Sequence, residues 1–82
     1  MGKTELRKTW NAEAREVLLG KKIVRVSYLA EESMENMMWH KCPVVLELED
    51  GTVIVPQMDD EGNDGGALMY IDKEGQGVLP TL

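Results

Sequence analysis

The chain has 82 residues, of which 43% are hydrophobic and 29% charged, and its net charge is −6. That length bounds a single domain with a modest core, and that composition belongs to a folded domain rather than a disordered one. The lone cysteine, Cys42, excludes an internal disulfide framework, and no apolar run approaches the length of a membrane span.

Charge is unevenly distributed along the chain. Residues 1–28 hold seven basic side chains against three acidic ones, +4, whereas residues 29–82 hold two against twelve, −10. The acidic part repels phosphate, which argues against nucleic acid as a partner. The N-terminal MGKTELRKTW lacks the apolar stretch of a signal peptide, and Leu6 stands where a myristoylation motif requires Ser or Thr. These features predict a cytoplasmic protein without a membrane partner.

Residues 4–19 predict a helix, because Leu6, Trp10, Ala14, Val17 and Leu18 recur at the spacing of one buried face and Gly20 follows as a stop. Asn11 offers an alternative cap for a shorter helix. KKIVRVSYL, residues 21–29, alternates Val24, Val26 and Tyr28 with Arg25 and Ser27, the pattern of a half-buried strand. Residues 30–40 hold no β-branched side chain and place Glu31 and Glu32 early, which predicts a short helix presenting Met34, Met37 and Met38 and closed by Trp39.

PVVLELEDGTVIVPQM, residues 43–58, carries the clearest signal. Asp50-Gly51 between two apolar alternations predicts a hairpin with a two-residue loop. In that register Leu48 faces Val53 and Leu46 faces Val55, so these four share one buried face. Pro56 ends the strand or marks an edge. ALMYID at 67–72 reads as a fourth strand, KEGQG at 73–77 as a turn, and VLPTL at 78–82 as a short fifth strand.

The elements predict an α+β fold: an N-terminal helix, four or five antiparallel strands, and a short helix between the first two strands. With so few residues the sheet is expected to bend strongly or to close as a small barrel of the Src-homology-3-like type. An Sm-like barrel is the second choice, disfavoured by the helix inserted at 30–40.

GKKIVRVSYL, the acidic helix ending in Trp39, and PVVLELEDGTVIVPQMDDEGNDGGAL together are similar to a family of short uncharacterised bacterial proteins. The resemblance covers residues 20–69 and rests most on the D-x-E-G-N-x-x-G-A-L segment. It implies a bacterial cytoplasmic domain. No activity is assigned to the family, so it carries no catalytic residue across.

Two stretches invite a chemical reading. DDEGNDGG, residues 59–66, brings Asp59, Asp60, Glu61 and Asp64 together. As an EF-hand loop it fails: from Asp59 the sixth and twelfth positions are Asp64 and Tyr70, and from Asp60 the third and twelfth are Gly62 and Ile71. No Lys-Ser/Thr follows the glycines as in a phosphate loop, and one loop does not supply the two walls of a glycosidase cleft. The expected role is a corner between the third and fourth strands. Asp60 and Asn63 would bond the loop's own backbone, Gly66 would pack against a neighbouring strand, and Glu61 would face water. His40 and Cys42 share one side of an extended segment, an arrangement compatible with an activated thiol, but two ligands are too few for a metal centre. The plainer reading is a packed Cys42 and a His40 at the helix end.

No cofactor motif emerges. The residues Met34, Met37, Met38 and Trp39 form the best candidate interaction surface, since methionines make adaptable contacts. The function expected is therefore a small non-enzymatic binding or assembly module, acting by protein–protein contact with itself, as a homodimer or larger, or with another protein. The alternative is a small metal-dependent enzyme that uses the 59–64 acids with His40.

Overall fold

The computed structural model describes residues 2–82. The elements run α1 (Lys3–Leu18), β1 (Ile23–Tyr28), α2 (Glu31–Met37), β2 (Val44–Leu48), β3 (Val53–Ile54), β4 (Leu68–Asp72) and β5 (Gly75–Leu79). The fold is α+β, as expected, but no barrel closes. The strands form two separate antiparallel sheets, one ordered β1-β2-β3 and one of β4 with β5. The reason lies in β3. It holds two residues before Pro56 removes a donor, and only an isolated bridge between Gln57 and Gly65 follows. No ladder then joins the third strand to the fourth.

Helix α1 is one continuous helix, with Glu5 in its first turn and Arg15 in its last, both favourable to its dipole. It ends where Leu19 becomes extended and Gly20 takes a φ of 75°. The predicted apolar stripe is present, but it is not buried: every residue of α1 is exposed. Strand β1 departs from expectation in the same way. A bulge interrupts it between Ile23 and Arg25, and Val24 and Val26 both lie in solvent.

Helix α2 begins with Glu31 and Glu32 in its first turn. It stops at Met37, so Trp39 lies beyond it rather than in it. Met38 adopts a left-handed conformation (φ 61°), and the Trp39 amide returns to the Met34 carbonyl at 2.9 Å, a Schellman-type end.

The β2–β3 hairpin forms at the predicted place with a corrected register. Leu46 pairs with Ile54 and Glu47 with Val53, one residue away from the two-residue-loop alignment. The loop has three residues, Glu49 to Gly51. It is closed by the Leu48 amide on the Thr52 carbonyl at 2.8 Å and the Gly51 amide on the Leu48 carbonyl at 2.9 Å, with Gly51 at φ 91°. This is the type I turn followed by a left-handed glycine that three-residue hairpins favour. The one-residue slip exchanges faces. Ile54, rather than Val53 or Val55, shares the face of Leu46. Leu48 is 4% exposed, whereas Val53 is 53% exposed.

The last hairpin is tighter than predicted. Asp72 pairs with Gly75 across Lys73-Glu74, so β5 already begins within KEGQG. Gly77 pairs with Tyr70 and gives room to its ring: a Cβ on Gly77 would meet Tyr70 Cε1 at 2.9 Å.

The core is small and sits where β2 meets the segment before it. Its buried side chains are Trp39, Pro43, Val44 and Leu48. The radius of gyration is 14.6 Å, against about 12 Å for a compact domain of this length.

Candidate functional site

The acidic loop is a structural lock. Asp64 Oδ1 accepts the backbone amides of His40 at 3.0 Å, Lys41 at 2.8 Å and Gly65 at 2.8 Å. Asp59 Oδ1 accepts the amides of Glu61 and Asn63, and the Asn63 side-chain amide donates to Asp59 Oδ2 at 2.7 Å. The Trp39 indole N–H donates to the Gly62 carbonyl at 2.8 Å. The loop therefore ties residues 39–41 to residues 59–65. Asp59 takes the part expected of Asp60, and the Asn63 side chain bonds the Asp59 carboxylate instead of the loop backbone it was expected to bond. Asp60 and Glu61 are exposed.

Both locking carboxyls are held below the usual carboxylate range. For Asp59 the first cause is the Asn63 side-chain amide; for Asp64 it is the Lys41 backbone N–H. Hydrogen bonds to the charged form favour it. Asp50, in the hairpin loop, is lowered further by Lys21 Nζ at 2.7 Å and by the Thr52 amide.

The two glycines that end the loop allow the approach. A Cβ on Gly65 would stand 2.7 Å from Pro43 Cδ. One on Gly66 would stand 2.7 Å from the Gln57 carbonyl carbon. The Gly66 amide donates to the Pro56 carbonyl and the Met58 amide to the Asp64 carbonyl. The close approach of Gly66 is as the sequence led one to expect.

The chemical candidates are not drawn together. Among the described residues, no three of His, Cys, Asp and Glu are placed as metal ligands would be. The Cys42 thiol donates to the Leu29 carbonyl at 2.9 Å, and its backbone exchanges two hydrogen bonds with Leu82. A depression of about 360 Å³ beside the corner is lined by Lys41, Gln57, Gly65, Gly66 and Thr81 among others.

The candidate interaction surface divides. Trp39 is 9% exposed and belongs to the core, and Met34 is half-buried. Met37 and Met38 are exposed, Met38 at 82%. A larger apolar surface lies elsewhere. The α1 stripe of Leu6, Trp10, Val17 and Leu18 faces solvent, as does the β4–β5 face of Met69, Ile71 and Val78. The periodicity of α1 was visible in the sequence; that its stripe would find no cover within the chain was not. The whole chain exposes 6778 Å², whereas a folded monomer of 9.2 kDa exposes about 4,900 Å².

No protein-family model, no curated protein and no solved structure matches the chain. Among the described residues no helix is long and apolar enough to cross a membrane.

Proposed function

We propose that the chain is a non-enzymatic binding and assembly module that works through protein–protein contact. The observation that carries this reading is the exposed apolar surface. Soluble monomers rarely leave large contiguous apolar patches bare, and such patches mark contact sites. Here a whole helix stripe and one face of a two-stranded ribbon are uncovered. The acidic loop, the main chemical candidate, has Asp59 and Asp64 committed to backbone amides. The reading includes a bacterial cytoplasmic setting for the module, the one that the resemblance proposed for residues 20–69 implies.

Thermal unfolding against a panel of divalent ions separates this reading from a metal-dependent enzyme built on residues 59–64 and His40. The module reading expects a flat panel. A stabilisation of several degrees by one ion, lost in both His40→Ala and Glu61→Gln, would overturn it.

A further inference from the structure

Independently of the assembly reading, we infer that the chain carries a site of spontaneous backbone modification, isoaspartate formation at Asp50-Gly51, and that the fold withholds the same reaction from its other Asp-Gly pair, Asp64-Gly65. The two dipeptides are alike in the sequence. What surrounds each of them differs.

The reaction needs only the chain and water. The glycine nitrogen attacks Cγ of the neutral Asp carboxyl, the new N–Cγ bond closes a succinimide ring, and the carboxyl OH leaves as water with the amide proton. Water then reopens the ring at either carbonyl. One opening restores Asp. The other leaves isoaspartate, of unchanged mass, with the main chain one methylene longer. Glycine favours the attack because it has no side chain to block the approach. The rate then depends on how closely the nitrogen can reach Cγ and how firmly the carboxyl is kept charged.

At Asp64-Gly65 both are fixed against reaction. Asp64 Oδ1 accepts the amides of His40 and Lys41, and that of Gly65 at 2.8 Å. An amide that points its N–H at a carboxylate oxygen does not present its π electrons to the carbon. Gly65 is also buried, and even a Cβ there would strike the Lys41 carbonyl and the Pro43 ring, so the peptide has no room to turn.

At Asp50-Gly51 the restraint is thinner. Both residues are exposed, and a Cβ on Gly51 would meet nothing within 4 Å. The Gly51 amide donates to the Leu48 carbonyl at 2.9 Å, Asp50 Oδ1 accepts the Thr52 amide at 3.0 Å, and Oδ2 pairs with Lys21 Nζ at 2.7 Å. These contacts lie in a surface loop, where ion pairs are weak and local opening costs little. Lys21 reaches the carboxylate from outside the loop and is the part of the restraint that a substitution can remove. Isoaspartate formed here lengthens the loop that the Leu48 amide closes on the Thr52 carbonyl.

The test ages the full chain at mildly acidic pH and body temperature and maps its peptides by electron-based fragmentation, which tells isoaspartate from aspartate at equal mass. The folded protein should gain isoaspartate at position 50 and none at position 64, whereas in urea both positions should react. Lys21→Ala should raise the rate at Asp50 several-fold, and Lys21→Arg, which keeps the pair, should not. Slow hydrogen exchange of the Trp39 indole N–H, bonded to the Gly62 carbonyl, reports that each variant is folded. Isoaspartate at position 64 of the folded protein overturns the proposal, as does a position 50 that stays unmodified while the urea sample converts. A position 64 that stays silent in urea removes the fold as the cause. A folded Lys21→Ala that reacts at the unsubstituted rate overturns the part given to Lys21. If Lys21→Ala does not fold, the comparison of positions 50 and 64 in the unsubstituted chain decides alone.

Discussion

Residues 39–66 and residues 3–26 are held by different means. The first region packs Trp39, Pro43, Val44 and Leu48 and then fastens the segment to the acidic loop through Asp64, Asp59 and the Trp39 indole. The second carries nearly as many large apolar side chains, among them Leu6, Trp10, Val17, Val24 and Val26, and leaves them exposed. The difference teaches that apolar content alone does not place a core. Directed hydrogen bonds and glycine-sized gaps gather the first region at short range. The second has periodicity but no cover within the chain, and its surface is free for another molecule.

The comparison can be broken most severely at Gly66. Gly66→Val must displace the Gln57 backbone, and the expected loss is about 3 kcal/mol or more in urea unfolding. A loss within experimental error would mean that the corner is loose. Next, Leu48→Ala should cost about 3 kcal/mol, whereas Val53→Ala, on the other face, should change stability by less than about 0.5 kcal/mol. Equal effects would restore the two-residue loop register. Gly51→Val should cost about 1–2 kcal/mol, because φ 91° is strained for a side chain with a Cβ.

A subtler measurement concerns acid. Asp59 and Asp64 have folded-state pKa values below their unfolded value of about 3.9. The unfolded state therefore binds more protons in that window, so their stabilisation is full above the unfolded value and is lost as pH falls through the folded values. Asp64→Asn should unfold more readily at neutral pH and show a shallower loss of stability below pH ~4. An unchanged acid profile would remove Asp64 from the lock. Smallest of all, exposed Glu61→Gln should move the unfolding midpoint hardly at all.

Sequence alone determined the order of the elements and the sites of the turns. Those signals are local: the 3.6-residue recurrence of Leu6, Trp10 and Val17, the alternation around Asp50-Gly51, and the glycines and carboxylates of residues 59–66. The tertiary structure decided three things. The hairpin loop took three residues because Gly51 could supply a single left-handed position, and that shift sent Val53 to the opposite face from Leu48. The sheet stayed open because β3 ended at Ile54, before a ladder to β4 could form. Burial was unequally assigned, since a periodic stripe records which side of an element is apolar but not whether another surface lies within reach. That depends on the path of the whole chain, and along this path Trp39 gained the Gly62 carbonyl and the core while Trp10 gained only solvent.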